Sequence, residues 1–290
     1  MSATAAASTL ARTTALTVLA MLAFAANSLL CRMALQQASI DAASFGSVRL
    51  VSGALVLMAI VRLRGGPAAK ARSDWLAATM LWVYVAAFSF AYITLPAGTG
   101  ALILFGAVQL TMFAVGLSAG ERFTASAWAG FALAVAGLLC LVSPGLAAPP
   151  LAGTLLMAAA GIAWGVYSLR GRGAGEPVAA TAGNFMRAAP LALMLSLVFA
   201  SQFKVSSPGV LLAIASGAVT SGLGYVLWYA ALPHLSALRA ATVQLSVPPL
   251  AAIGGVLLLS EALTMRLLLA SAAILGGIAL VLASRARGKP

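Results

Sequence analysis

Five polar side chains stand inside long apolar runs of this sequence, where a small molecule could meet them. Asn27, Gln109 and Gln244 carry amides, which donate and accept hydrogen bonds at once and so suit a zwitterionic ligand. Arg49 and Arg187 carry guanidinium groups, which bind carboxylates through two parallel hydrogen bonds. Each has a structural alternative, which we favour for the arginines: amides join packed helices, and an arginine can reach the end of its helix or bind backbone carbonyls.

Seven aromatic residues form a second group of candidates. Within each of three apolar runs they recur at helical spacing, so that the members of a run lie on one helix face. They are Tyr84, Phe88, Tyr92, Trp164, Tyr167, Tyr225 and Trp228. Such rings, with a few polar groups, could line a cavity for an aromatic or amphipathic molecule; the alternative is that they only pack the interior.

Residues for covalent or metal chemistry are scarce. The acids and the single histidine map to loops or to the ends of apolar runs: Asp41, Asp74, Glu121, Glu176, Glu261 and His234. Cys31 and Cys140 form no CxxC motif, and we interpret them as packing residues. An enzyme needs a nucleophile with a base or a clustered metal site. We therefore predict a protein that is not an enzyme and that binds no metal or other cofactor.

The composition indicates whether this chain folds in water or in a membrane. Of its 290 residues, 62% are hydrophobic and 8% are charged, against about 25% charged residues in soluble domains. The mean hydropathy is +1.06. The net charge of +12 is spread over short loops without a basic cluster, which excludes nucleic acid as a partner. The predicted partner is the lipid bilayer.

Apolar runs of about 20 residues are long enough to cross the hydrocarbon core. The sequence predicts ten such spans in an all-α membrane protein. They cover residues 13–34, 42–62, 75–94, 98–119, 125–143, 151–171, 178–200, 208–231, 237–259 and 265–284. We interpret the first as a retained helix rather than a cleaved signal peptide, because its apolar run continues beyond the length of such a peptide.

The positions of Lys and Arg predict the orientation. If the N-terminus is cytoplasmic, twelve of the 17 basic residues fall in inside segments and three in outside segments. Positive charge accumulates on the cytoplasmic side of membrane proteins. We therefore expect a multi-pass inner-membrane protein with both termini in the cytoplasm.

The chain repeats itself weakly at an offset near 140 residues, which divides it into halves at 1–145 and 146–290. The matching pairs include Phe24 with Trp164, Arg49 with Arg187, Gln109 with Gln244, and Glu121 with Glu261. Each half has five spans. Because this number is odd, the second half crosses the membrane in the opposite orientation to the first. We therefore predict two inverted five-helix repeats, which are typical of secondary transporters that work by alternating access.

Three short segments carry a resemblance to a known family. Residues 120–124 read Gly-Glu-Arg-Phe-Thr, residues 260–264 read Ser-Glu-Ala-Leu-Thr, and residues 163–167 read Ala-Trp-Gly-Val-Tyr. With the ten short spans in two halves, they resemble the EamA-type branch of the drug/metabolite transporter superfamily. The resemblance covers nearly the whole chain and is greatest to bacterial amino-acid exporters of the YddG kind. Phe24 departs from the family motif, because the pair Trp-Gly is common at that position.

The resemblance implies that a monomer exports aromatic and other neutral amino acids from the cytoplasm. Because none of the acids falls inside a span, we expect facilitated diffusion rather than proton exchange. The alternative is efflux of drugs or other metabolites by a transporter of the same superfamily, with or without proton coupling. A channel is not favoured, because rings of charge and repeated carbonyl loops are absent from the sequence.

Overall fold

The computed structural model describes residues 3–64, 74–120, 123–143, 148–171, 176–235, 240 and 243–287. Ten helices occupy these residues: α1 (Ala3–Gln36), α2 (Ala42–Leu63), α3 (Trp75–Ala91), α4 (Ala97–Ser118), α5 (Ala125–Val142), α6 (Leu151–Arg170), α7 (Pro177–Val198), α8 (Ser207–Ile214, Ala215–Leu223 and Gly224–Ala231 in succession), α9 (Val247–Leu259) and α10 (Met265–Arg287). Eight of the described helices are long and apolar enough to cross a membrane. The other two, α3 and α9, have 17 and 13 residues.

The largest difference from the sequence prediction concerns the span expected at 237–259. Helix α9 begins only at Val247, after a turn at residues 245–246, and Pro248 and Pro249 lie in its first turn. Proline suits a first turn because its missing N–H would have no helical partner there. These prolines therefore start a helix after a turn, within the span that the sequence predicted at residues 237–259. Residues 236–239 and 241–242 lie outside the described part of the chain.

Side-chain caps begin several helices. Asp41 and Ser206 each accept a hydrogen bond from a backbone N–H in the first turn of α2 and α8. Asp74 caps α3 through the Ala77 N–H and pairs with Arg170 at the end of α6. The Ala77 N–H, and with it Arg170, lowers the pKa of the Asp74 carboxyl. These side chains thus satisfy backbone N–H groups that have no partner within the first turn of a helix.

Helices of the first half pack mainly against helices of the second. Helix α5 pairs with α10, α2 with α7, and α4 with α9; α3 packs against α6 and α7, α1 against α8 and α9, α2 against α8, and α4 against α6. Small residues bring these backbones together. A Cβ on Gly130 of α5, for example, would lie 2.5 Å from the Gly277 carbonyl oxygen of α10. The centre of the bundle is therefore built from both halves.

Helix α8 changes its winding in the middle of the bundle. Its segment Ala215–Leu223 is π-helical, and π segments occur frequently at functional sites. The segment buries Ser216, Thr220 and Ser221. Gly217 lets it approach α2 so closely that a Cβ there would overlap the Arg49 carbonyl oxygen.

We expect Gly217→Ala to destabilise the protein, because the added methyl must push α8 away from the α2 backbone. Overpacking of this kind lowers the free energy of unfolding by about 1–3 kcal/mol. Gly276→Ala in α10 is the matched control, since a Cβ there meets no atom within 4 Å. Thermal unfolding of the two purified variants in detergent should show a lower midpoint for Gly217→Ala only. Equal midpoints would contradict the close contact of α8 with α2.

Candidate functional site

The predicted aromatic residues meet in the interior of the bundle. We call aromatic cluster the set Tyr84, Phe88, Tyr92, Trp164, Tyr167, Tyr225 and Trp228, together with Phe24 and Phe185. Trp164 of α6 lies in the middle, with its ring centroid 4.9 Å from Tyr84, 5.3 Å from Tyr167 and 5.5 Å from Tyr225. Rings from α1, α3, α6, α7 and α8 therefore form one continuous apolar surface.

Two members of the cluster lie at its edges. Tyr92 packs edge-on against Phe88 and donates its hydroxyl proton to the Ala97 carbonyl, so it belongs to the α3–α4 connection as much as to the centre. Trp228 contacts the cluster through Phe24, at a centroid distance of 6.2 Å. The structure thus brings all seven predicted aromatic residues together, and their part in substrate binding stays a prediction.

A group of hydrogen-bonded polar side chains adjoins the rings. Asn27 Oδ1 accepts from the Ser216 hydroxyl at 2.7 Å and the Thr220 hydroxyl at 3.2 Å. Asn27 Nδ2 donates to the Tyr84 hydroxyl at 3.4 Å. We call polar cluster these four residues together with Arg49 and Ser221. Tyr84 belongs to both clusters and joins them.

Arg49 is the charged member of the polar cluster and is only 1% exposed. Its Nη2 donates to the Tyr84 hydroxyl at 3.0 Å, and its Nε donates to the Ser221 hydroxyl at 3.3 Å. The guanidinium lies 5.1 Å from the centroid of the Tyr84 ring and 5.0 Å from that of Phe88, within the range of cation–π attraction. Its Nη1 is buried and has no hydrogen-bond partner.

Arg187, which corresponds to Arg49 in the sequence repeat, has a different environment. Its Nη1 donates to the Gly183 carbonyl one turn earlier in α7, and its guanidinium lies 5.9 Å from the centroid of Trp75 at the start of α3. These contacts agree with the structural alternative, in which the arginine reaches towards a helix end. The two arginines, equivalent in the sequence, therefore have different surroundings in the fold.

The two glutamines are not part of these clusters. Gln109 lies in α4 and Gln244 precedes α9, and both are half-buried. Neither forms a side-chain hydrogen bond with another residue of the described part of the chain. The structure therefore gives them no role as links between helices, and lining of a transport path stays a prediction.

Several residues of the site were missed by the sequence analysis. Ser216, Thr220 and Ser221 lie in an apolar run in which hydroxyl residues are unremarkable, and only the π segment turns them together towards Asn27 and Arg49. Phe24, which matches Trp164 in the repeat, and Phe185 contact Tyr225 with ring centroids 5.9 and 6.0 Å apart. The repeat was the signal that could have identified Phe24.

An ion pair joins several helix ends at one end of the bundle. Arg32 Nε lies 3.2 Å from Glu261 Oε1, and Glu261 also accepts the Ala97 N–H at the start of α4. Arg32 Nη1 donates to the carbonyls of Tyr92 and Ile93 at the end of α3. We call this set of contacts the Glu261 clasp. It ties α1, the α3–α4 connection and the segment before α10 together.

We expect Asn27→Ala to lower the free energy of unfolding by about 1–3 kcal/mol, because it leaves the buried Ser216 hydroxyl without its acceptor. Gln109→Ala is the matched control, an amide truncation at a half-buried position, and should change stability by less than about 1 kcal/mol. Thermal unfolding in detergent checks both. Equal losses in the two variants would show that Asn27 does not organise the polar cluster.

Comparison with known proteins agrees with this architecture. Residues 151–283 match the model of the EamA-like transporter family. The chain is 57% identical over 274 residues to Uncharacterized protein PA1977 of Pseudomonas aeruginosa, over 94% of this chain and 96% of that protein. A protein of known crystal structure has the same fold, with a TM-score of 0.67 and 20% identity over 95% of this chain and 98% of its own. Residues 151–283 therefore form an EamA-like transporter domain, of the drug/metabolite transporter superfamily, and the chain is a multi-pass membrane protein.

Proposed function

We propose that this transporter exports aromatic and other neutral amino acids from the cytoplasm across the inner membrane, as a monomer. The observation that supports this proposal is the contact between the aromatic cluster and the polar cluster, where α1–α3 meet α6–α8. The rings offer apolar surface to an amino-acid side chain. The neighbouring amide, hydroxyl and guanidinium groups offer hydrogen bonds to its polar end.

Alternating access between two inverted repeats is the proposed mechanism. The principal helix contacts are supporting evidence, because they keep their pattern when α1–α5 are exchanged with α6–α10. The contact of α3 with α6 becomes that of α8 with α1, and the contact of α4 with α6 becomes that of α9 with α1. The contacts of α2 with α7, of α4 with α9 and of α5 with α10 remain the same contacts after the exchange. Halves related in this way could exchange conformations and open the centre to each side in turn.

Transport without a coupled proton is supported by the places of the acids. Among the described residues, Asp41, Asp74 and Glu176 precede helices, and Glu261 belongs to the clasp. None of these four carboxyl groups forms a hydrogen bond with the polar cluster. Proton-coupled transporters commonly use an acid or histidine within the membrane. Glu121 lies outside the described part of the chain.

Uptake into liposomes that hold the purified protein tests the substrate and the coupling. We expect labelled phenylalanine, threonine and methionine to enter faster than into empty liposomes, and at the same rate with and without a pH gradient. Uptake that requires the gradient would contradict facilitated diffusion. Failure of all three to enter would leave efflux of drugs or other metabolites as the function.

The Glu261 clasp must open if this end of the bundle gives access to the centre. We expect Glu261→Gln to favour the open state, because it removes the ion pair with Arg32. Cys31, buried beside Arg32, reports the opening through its reaction with a thiol reagent when Cys140 is replaced by Ser. Labelling should accelerate about tenfold, since a hydrogen bond to a charged group contributes about 1.5 kcal/mol or more.

The matched control for that experiment is Glu176→Gln. It removes an exposed carboxylate that precedes α7 and forms no side-chain cap. Labelling of Cys31 should keep the wild-type rate in this variant. An unchanged rate in Glu261→Gln would show that the clasp does not hold this end closed.

A further inference from the structure

We propose that Arg49 and Tyr84 form a carboxylate-binding site, and that the transporter recognises its substrates by the carboxylate and not by the ammonium group. The ligand class is therefore monocarboxylates with an aromatic or apolar side group, of which neutral amino acids are one kind. The inference rests on the proposed function only in that a small molecule passes through the centre of the bundle.

The first argument is the unused hydrogen-bonding capacity of Arg49. Its Nε and Nη2 donate to neutral hydroxyl groups, while Nη1 is buried without a partner. A buried polar group without a hydrogen bond is strongly disfavoured, and more so when it is charged. A carboxylate bound at Nη1 would satisfy the donor and neutralise the charge together.

The second argument is the lack of an acidic partner. The described carboxylates are bound elsewhere or exposed: Glu261 pairs with Arg32, Asp74 pairs with Arg170, Asp41 caps α2, and Glu176 precedes α7 at the surface. None of them contacts Arg49. Burying an uncompensated charge is unfavourable, and removal of the partner from a buried ion pair strongly destabilises a protein. The missing negative charge fits a ligand that arrives from solution.

The third argument concerns the neighbours that hold the guanidinium. Tyr84 and Phe88 attract it through their ring faces, which places the cation without neutralising it. The Tyr84 oxygen accepts from both Asn27 and Arg49, and its hydroxyl donates to no acceptor among the described residues. Tyr84 therefore supplies a second donor beside Arg49, and a carboxylate has two oxygens to accept from both.

The ammonium group finds no equivalent partner. The polar cluster contains no acidic side chain, and Asn27 Oδ1 already accepts from Ser216 and Thr220. Asn184 Oδ1 is a buried acceptor without a partner, but it is a neutral amide beside Tyr167 rather than beside Arg49. An ammonium ion would instead meet the positive charge of Arg49. We therefore expect the transporter to select its substrates by their carboxylate group.

Three molecules with the same phenyl group test this inference: phenylalanine, 3-phenylpropionate, which lacks the amine, and phenethylamine, which lacks the carboxylate. Binding to the full-length protein in detergent is measured as thermal stabilisation. We expect the two carboxylates to bind within about tenfold of each other. Phenethylamine should bind at least about tenfold more weakly, the loss that corresponds to one hydrogen bond to a charged group.

Variants then locate the site. Arg49→Lys keeps the charge but loses the two-pronged geometry, and Arg49→Gln loses both; the affinity for 3-phenylpropionate should fall about tenfold or more in each. Arg62→Gln is the control, because it removes an exposed positive charge from the last turn of the same helix. Its affinity should stay at the wild-type value.

The outcomes separate this inference from the proposed function. Phenethylamine binding as tightly as 3-phenylpropionate, or no stabilisation by either carboxylate, would overturn the inference. Stabilisation by 3-phenylpropionate that Arg49→Lys abolishes would support it even if no amino acid is transported into liposomes. A resident inorganic anion is the other source of negative charge: stabilisation by chloride that Arg49→Gln abolishes, with no stabilisation by 3-phenylpropionate in methanesulfonate buffer, would assign Arg49 to chloride and overturn the inference.

Discussion

The structure depends on one constraint, which is that Arg49 must be held inside a bundle surrounded by lipid. Its positive charge cannot be hydrated there, and no described carboxylate reaches it. The surroundings compensate with hydroxyl groups and ring faces, contributed by Tyr84 and Phe88 of α3 and by Ser221 of α8. These groups orient the guanidinium but do not neutralise its charge. The π segment of α8 follows from the same constraint, because it brings hydroxyl groups and Gly217 against the α2 backbone.

The contacts of Arg49 differ from those of Arg187, although the two residues match in the sequence repeat. The principal contacts keep their pattern on exchange of the halves, yet Arg49 points into the polar cluster, whereas Arg187 bonds the Gly183 carbonyl in its own helix. A symmetric pair of buried arginines would place two like charges in the centre, which would repel each other in a medium of low polarity.

The sequence predicts helix positions well because lipid imposes a length and a composition on each span. Predicted starts at residues 42, 75 and 151 coincide with those of α2, α3 and α6. The late start of α9 was not predicted, because residues 237–259 taken together are apolar enough for one span and hydropathy does not reveal the turn at residues 245–246. The partners of Asn27 were unpredictable for another reason: Ser216 lies 189 residues away in the chain, and hydropathy does not specify which helices become neighbours.

The clasp and the central site are connected physically by α3. Tyr84, Phe88 and Tyr92 recur every four residues along one face of this helix and its C-terminal cap, and each ring packs against the next. Arg32 holds the carbonyl of Tyr92, while Arg49 holds the hydroxyl of Tyr84. Release of Arg32 from Glu261 would therefore free the end of the helix that carries these rings. Because a helix moves largely as a rigid body, opening at the clasp and loosening at Arg49 would accompany each other, so access and affinity would change in one step.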